Sequence, residues 1–123
     1  MAYLTDRKRV EGLGAAGSGT THHWQQTILS IALVVLIPLF IFTFGTVLGG
    51  TYEEIVAYYS RPVPALIALL TLVVGWVHFA KGAQVLIEDY VSGSTRKFMI
   101  VATNCVSYAA ALAGVYAIAR LAL

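Results

Sequence analysis

Three long runs of the chain lack charged side chains, and this pattern constrains the fold more than any other feature of the sequence. Residues 27–52 contain no Asp, Glu, Lys, Arg or His, and residues 98–119 contain none either. In residues 62–87 the only side chains of that kind are His78 and Lys81. A helix needs about 20 predominantly apolar residues to cross the hydrocarbon core of a bilayer. Each run exceeds that length, so the sequence predicts an all-α membrane protein with three transmembrane helices.

The overall composition indicates the same class of protein. Of the 123 residues, 59% are hydrophobic and only 11% are charged, whereas a soluble domain carries about 25% charged residues. The net charge of +2 is too small and too scattered to favour binding to nucleic acid. The single cysteine, Cys105, lies in an apolar run, so a disulfide within the chain and a cysteine-based metal site are excluded. We interpret Cys105 as a buried structural thiol.

The segments between the apolar runs predict the bounds of the helices. Transmembrane helices are expected at about 25–48, 63–88 and 97–120, after a polar cytoplasmic N-terminus at 1–24. Together these segments form one membrane-anchor domain over residues 1–123, and little of the chain is left for another domain.

Two short motifs refine these bounds. Thr51 and Glu54 have the spacing of a capping box, in which the threonine hydroxyl accepts a bond from a backbone N–H and the glutamate reaches back. They predict a short interfacial helix at about 52–59, with its tyrosines at the level of the lipid headgroups. Ser94 or Thr95 is expected to cap the third transmembrane helix.

The basic residues are distributed unevenly between the two sides of the membrane. The N-terminal segment carries three of them and the connection between the second and third helices carries two, whereas the 49–62 loop and the C-terminus carry one each. Because cytoplasmic loops carry an excess of Lys and Arg, the N-terminus is predicted to be cytoplasmic and the C-terminus to lie outside. The basic residues are Arg7, Lys8 and Arg9 in the N-terminal segment, Arg61 in the 49–62 loop, Arg96 and Lys97 in the connection between the second and third helices, and Arg120 at the C-terminus.

The second transmembrane helix carries a distinctive face around its histidine. Successive residues of a helix are rotated by about 100°, and we single out five of the residues that fall within about 60° of His78. Two of them are glycines, about one turn above and one turn below the imidazole. A backbone without side chains at these points leaves room for something flat and wide. The full set is Thr71, Gly75, His78, Gly82, Val85 and Asp89.

His78 also lies deep in its helix. It is about 15 Å along the axis from Glu88 and about 24 Å from Pro62, at about 1.5 Å per residue. Burial in hydrocarbon disfavours the charged imidazole, and the neutral form is the one that ligates iron. One interpretation is therefore a heme ligand flanked by Gly75 and Gly82. The other is an ordinary interhelical hydrogen bond from His78, with the glycines serving only close helix packing.

A heme with two axial ligands would need a second ligand from outside this chain. His22 and His23 precede the first transmembrane helix and lie too near the surface to face His78. Met99, at the start of the third helix, is also too shallow. We therefore expect the second ligand to come from another polypeptide, or from His78 of a second copy.

Asp89 and Tyr90 end the second helix where the hydrocarbon gives way to headgroups. A solvated helix end with an interfacial tyrosine is one interpretation. However, an acidic group at a helix C-terminus is unfavourable against the helix dipole, which favours a specific partner. A quinone requires a hydrogen-bond donor to its carbonyl and a route for protons. Tyr90 could supply the donor, with Asp89 orienting it or relaying protons.

The run from His78 to Tyr90, HFAKGAQVLIEDY, resembles the second helix of the smaller membrane-anchor subunits of succinate dehydrogenase, respiratory complex II. That family has a histidine, a glycine four residues on, and Asp-Tyr eleven and twelve residues on. His78, Gly82, Asp89 and Tyr90 match all four positions. The resemblance extends to the three-helix layout, the polar N-terminus and the Thr-Tyr-Glu-Glu loop, so it covers nearly the whole chain.

The resemblance implies a complex of four subunits in the bacterial inner membrane. These are a flavoprotein, an iron–sulfur protein and two anchors whose helices form one bundle around a shared heme b. His78 would be one axial ligand of the heme iron, and a histidine of the larger anchor would be the other. Tyr90 would hydrogen-bond ubiquinone, with Asp89 beside it. Succinate oxidation would occur on other chains, so no catalysis is expected from this chain alone.

One part of the sequence departs from the family. Members often have an arginine near the start of the first helix, where it can pair with heme propionates. This chain has Trp24-Gln25-Gln26-Thr27 there, preceded by His22 and His23. His22, His23 and Gln26 are therefore candidate contacts of the propionates or of the quinone pocket. The alternative for the two histidines is a plain interfacial pair.

Two other functions remain open on the sequence. The chain could be a heme-free structural anchor that docks a soluble enzyme, or the anchor of a fumarate reductase that works in the reverse direction. A small transporter is disfavoured, because three spans with one ionisable face offer no inverted repeat.

Overall fold

The computed structural model describes residues 5–7, 10 and 19–123. Residues 19–123 form four helices and no strand: α1 (Gly19–Gly45), α2 (Tyr52–Tyr59), α3 (Pro62–Tyr90) and α4 (Gly93–Ala122). Helices α1, α3 and α4 are long and apolar enough to cross a membrane. The predicted all-α fold, with three membrane spans and one short helix, is confirmed.

Helix α3 matches the predicted bounds of 63–88 to within two residues, whereas α1 and α4 depart further from theirs. Helix α1 begins at Gly19 rather than 25 and ends at Gly45 rather than 48, while α4 begins at Gly93 rather than 97. Helices of 27 to 30 residues are about 40–45 Å long, against a hydrocarbon core of about 30 Å. Backbone hydrogen bonding continues into the headgroup layer, where the side chains are polar and hydropathy no longer marks the helix.

Helix α3 lies between α1 and α4 and contacts both, whereas no contact joins α1 to α4 within residues 19–123. The side chains buried between α3 and α4 are mostly small, and Ala80 and Ser107 are each only 1% exposed. Small side chains let two helices approach closely, so that van der Waals contacts stabilise their packing inside a membrane. Besides those two residues, the small buried side chains are Ala65, Ala68 and Ala111.

Gly114 marks the closest approach of α4 to α3. A Cβ atom at this position would overlap both methyl carbons of Leu72, the farther of them at 2.7 Å. A larger residue here would displace the Leu72 side chain, so glycine favours this packing of α4 against α3. On the other side of α3, the Thr71 hydroxyl donates to the carbonyl of Ile67 at 2.7 Å and lies 3.4 Å from the carbonyl of Leu36 in α1.

The short helix α2 begins with the predicted capping box. The backbone N–H of Thr51 donates to Glu54 Oε2 at 2.8 Å, and the Glu54 N–H donates to Thr51 Oγ1 at 3.3 Å. Gly49, with φ +84°, makes the turn before it in a conformation that other residues rarely adopt. Tyr59 at the end of α2 is only 6% exposed. Burial, together with the neighbouring Tyr58, raises the pKa of the Tyr59 phenol.

The prediction that Ser94 or Thr95 caps the third transmembrane helix is wrong. The N-cap of α4 is Ser92, and its side chain makes no capping hydrogen bond. Gly93 has φ +70°, so the chain reverses within two residues of Tyr90 and the helix starts earlier. Arg96 Nε instead donates to the Val91 carbonyl at 2.6 Å, which ties the first turn of α4 to the connection.

The interpretation of Cys105 as a buried thiol is also wrong, because its side chain is exposed. Cys105 is two residues from Ser107, or about 200° around the helix. Ser107 faces α3 and is buried, so Cys105 points away from the bundle. An apolar run predicts a membrane span but not which residues of that span face the protein.

Candidate functional site

His78 lies at the contact between α3 and α1. Its side chain is half-buried and borders a cavity of about 430 Å³ whose other walls come from α1. Those walls are almost wholly apolar, so the imidazole sits in a setting of low polarity. The α1 residues that line the cavity are Ser30, Leu33, Val34, Ile37 and Pro38.

Neither ring nitrogen of His78 has a hydrogen-bond partner among the residues that the structure describes. Nδ1 is fully buried and unpartnered, whereas Nε2 is not enclosed by this chain. The one hydroxyl in the neighbouring cavity, that of Ser30, donates to the Gln26 carbonyl at 2.9 Å. Within residues 19–123, His78 therefore forms no interhelical hydrogen bond.

Helix α1 lies along part of the face that carries His78. The Gln26 amide nitrogen would be 3.3 Å from a Cβ atom at Gly82, and the Leu36 carbonyl lies beside Thr71. The space beside Gly82 is thus occupied by α1 of the same chain. The heme contact predicted for Gly82 stays a prediction.

The flank of the face at Gly75 is open. A Cβ atom at Gly75 would meet nothing within 4 Å. Gly75 borders a groove of about 380 Å³ with an almost wholly apolar lining. Trp76 and Phe79 form one wall of the groove, with their rings 5.7 Å apart and nearly perpendicular. The groove also includes Thr71 and Leu72, so this chain leaves open space on the Gly75 flank of the helix.

Two polar side chains on one face of α1 have a buried atom without a hydrogen-bond partner in the described residues. The Nε2 atom of His22 and the Oε1 atom of Gln26 are buried and unpartnered within the described part of the chain. The two residues are four apart and therefore lie one above the other on the helix. By contrast, His23 is exposed, and its ring lies edge-on to Trp24, with centroids 6.4 Å apart. Of the three candidates near the start of α1, the structure brings His22 and Gln26 towards α3, but not His23.

A polar contact between α1 and α3 was not anticipated from the sequence. Lys81 Nζ donates to Gln25 Oε1 at 2.7 Å. His22, Gln25 and Gln26 are spaced three and four residues apart, a spacing that puts them on neighbouring positions of one helix face. That spacing is the signal that could have identified Gln25.

Asp89 and Tyr90 lie at the end of α3, away from His78. Tyr90 is 83% exposed, and Asp89 is also exposed. No hydrogen bond joins them in residues 19–123, whereas the neighbouring Glu88 accepts one from Gln84 Nε2 at 2.8 Å. Twelve residues separate His78 from Tyr90, which is about 18 Å along the axis. The two predicted sites therefore belong to one helix but to different depths.

The residues around His78 suit a heme that is ligated from two chains. The described residues contain no group of three His, Cys, Asp or Glu side chains that could hold a metal ion. A metal bound at His78 would therefore take its remaining ligands from a cofactor or from another chain. The unpartnered imidazole and the open backbone at Gly75 would offer such a group one nitrogen ligand and an adjoining surface without side chains.

Comparisons with known proteins match this chain over nearly its whole length. The family described as succinate dehydrogenase/fumarate reductase transmembrane subunit matches residues 1–113. A succinate dehydrogenase hydrophobic membrane anchor subunit of Paracoccus denitrificans is 46% identical over 123 residues, covering 100% of this chain and 95% of that protein. The protein of the same description from Rickettsia bellii (strain RML369-C) is 27% identical over 112 residues, covering 89% of each chain.

No solved structure matches this chain. The family match over 113 residues, the relative that is 46% identical over the full length and the three membrane-spanning helices agree with one another. The chain therefore belongs to the succinate dehydrogenase/fumarate reductase transmembrane subunit family, among the hydrophobic membrane anchor subunits of succinate dehydrogenase.

Proposed function

We propose that this chain provides one axial ligand, His78, to a heme b shared with a larger anchor subunit, and that it forms part of the ubiquinone site of a succinate:quinone oxidoreductase. An iron–sulfur subunit and a flavoprotein would complete the complex, and the flavoprotein would oxidise succinate. The observation that carries the heme part of the proposal is the imidazole of His78, which is deep in a membrane span and has no partner within the described chain.

A polar side chain in the hydrocarbon without a partner is unfavourable, and such residues generally mark functional sites. Iron coordination by Nε2 would satisfy one nitrogen of His78. Its buried Nδ1 would then carry the proton, and the nearest hydroxyl of α1, on Ser30, lines the same cavity. When bound, the heme would supply a one-electron redox centre inside the membrane. The chain's part is to position the imidazole and to exclude water with the apolar walls of α1.

At the end of α3, the exposed Tyr90 is suited to donate a hydrogen bond to a quinone carbonyl. Reduction of ubiquinone to ubiquinol takes up two electrons and two protons. Asp89 is adjacent in sequence and exposed, so it can exchange protons with water near that carbonyl. Electrons would arrive from the iron–sulfur subunit, which would dock on this end of the bundle.

The direction of the chain across the membrane follows from its basic residues. The end that carries Gly19 and Tyr90 also carries Arg96 and Lys97, whereas the opposite end carries Arg61 and Arg120. We therefore propose that the Tyr90 end faces the cytoplasm of a bacterial cell. This orientation puts the quinone contact on the same side as a cytoplasmic iron–sulfur subunit.

Purification of the intact complex tests the proposal as a whole. We expect three further subunits, including a flavoprotein, to copurify with this chain, and a b-type absorption band to appear on reduction. Copurification without that band would favour a heme-free structural anchor. Turnover that runs only from quinol to fumarate would favour a fumarate reductase anchor.

The quinone contact is tested separately by Tyr90→Phe. This change removes one hydroxyl, and the loss of a hydrogen bond to substrate is worth about 0.5–1.5 kcal/mol, or roughly a 2- to 12-fold loss in quinone reduction. Succinate oxidation by a soluble dye should be unaffected. Tyr52→Phe is the matched control, because Tyr52 is 77% exposed at the opposite end of the bundle. Unchanged quinone turnover in Tyr90→Phe would remove this residue from the site.

A further inference from the structure

Lys81 is a cation without a counterion in the membrane-spanning part of the chain. Its ammonium donates to the Gln25 amide oxygen, and it forms no ion pair with any carboxylate in the described residues. Glu88 is two turns further along and about 20° away on the same helix face, but its carboxylate accepts from Gln84 instead. Since a lysine ammonium carries three donors, two of them have no acceptor among the residues that the structure describes.

The position of Lys81 relies on α1 rather than on the membrane surface. Lys81 is nine residues, or about 14 Å, from the end of α3 at Tyr90. A lysine at such a depth usually extends along its own helix towards the headgroups. Here the side chain reaches across to Gln25 on the neighbouring helix, near the level where Gln26 lies against Gly82.

Two polar atoms of α1 near the contact between Lys81 and Gln25 have no hydrogen-bond partner in the described residues. His22 Nε2 and Gln26 Oε1 are buried and unpartnered within the described residues. His22 lies one turn from both Gln25 and Gln26 on α1. Gln26 lies against Gly82, the residue next to Lys81. A cation with donors that the described residues leave free is suited to bind an anion with several oxygen atoms.

We infer that Lys81, oriented by Gln25, binds a propionate carboxylate of the heme ligated by His78. This inference rests on the proposed heme function. Lys81 is one turn from His78 towards the Tyr90 end, about 4.5 Å along the axis and about 60° around it. A heme carries its two carboxylates at one edge, and that edge would point to the same end. Lys81 thus supplies the positive charge that the first helix of this chain lacks.

The inference is tested in the intact complex by Lys81→Met, which keeps the length of the side chain and removes its charge. A cation near the heme stabilises the reduced state, so the midpoint potential of the heme should become more negative. Transfer of heme to added apomyoglobin should become about tenfold faster, which corresponds to about 1.4 kcal/mol. Lys81→Arg should restore both values, and Gln25→Ala should shift both in the same direction by less.

Lys97→Met is the matched control, because it removes an equal charge from an exposed position in the first turn of α4, and neither value should change. If Lys81→Met behaves like this control, the inference is overturned while ligation by His78 stands. If Lys81→Met instead reduces the anionic phospholipid detected with the complex by mass spectrometry and leaves the potential unchanged, the anion is a lipid phosphate and the inference is again overturned. A wild-type complex without heme would refute the proposed function itself.

Discussion

Replacing Gly75 by leucine tests which flank of His78 receives the heme. Gly75 is three residues from His78, about 4.5 Å along the axis and about 60° around it. A side chain at this position meets nothing within 4 Å in the chain itself. Leucine also has a higher helix propensity than glycine. We therefore expect Gly75→Leu to leave the fold of this chain intact.

Gly75→Leu should weaken heme binding without lowering the stability of this chain alone. Overpacking of a well-packed site typically costs about 1–3 kcal/mol, which corresponds to a loss of heme affinity of roughly 5- to 140-fold. The assay is the ratio of heme to protein in the purified complex, combined with the rate of heme transfer to apomyoglobin. Gly45→Leu is the control, since Gly45 is equally free of contacts but lies at the far end of α1.

Comparing the two variants distinguishes a contact at Gly75 from a general defect in assembly. A normal heme content in Gly75→Leu would refute the argument that the porphyrin lies against the open backbone at Gly75. Heme loss in both variants would point to a general defect in assembly rather than to a contact at this glycine.

Three further changes test the packing around the site. Thr51→Ala removes one half of the capping box with Glu54 and should destabilise α2 by about 1 kcal/mol, seen as faster amide hydrogen exchange in that helix alone. Gly114→Ala forces Leu72 out of its position and should lower the stability of the complex by about 1–3 kcal/mol, measured by thermal unfolding; an unchanged midpoint would contradict the close contact. Because the pKa of Tyr59 is raised by burial and by its neighbour Tyr58, the phenol stays neutral and stabilises the docking of α2 up to about pH 10. That stability is lost as pH rises through the raised pKa, and Tyr59→Phe should abolish this alkaline loss in unfolding experiments.

The membrane spans and the short helix could be predicted because they depend on local features of the sequence. Runs without charge determine which segments can cross a bilayer, and Thr51 and Glu54 form their capping box within four residues. The bounds of α1 and α4 could not be predicted as well, because a helix continues into the headgroups after its hydrophobic signal ends. The start of α4 depends on the positive φ of Gly93. The sequence did not indicate this, because Ser94 and Thr95 are residue types that commonly cap a helix.

The candidate site was predictable as a helix face but not as a contact. Periodicity puts Gly75, His78 and Gly82 on one side of α3. It does not reveal that α1 occupies the space beside Gly82 and leaves Gly75 open. In the same way, the hydrogen bond from Lys81 to Gln25 joins residues 56 positions apart, and only the packing of α1 against α3 brings them together.

The most direct test of the account is the heme content of the assembled complex with His78→Ala. Loss of one axial ligand should remove the low-spin b-type spectrum, or convert it to a high-spin form, while the flavoprotein and iron–sulfur subunit still copurify. His23→Ala, which changes an exposed histidine near the start of α1, should keep the wild-type spectrum. An unaltered b-type spectrum in His78→Ala would contradict the proposal that this imidazole ligates the iron.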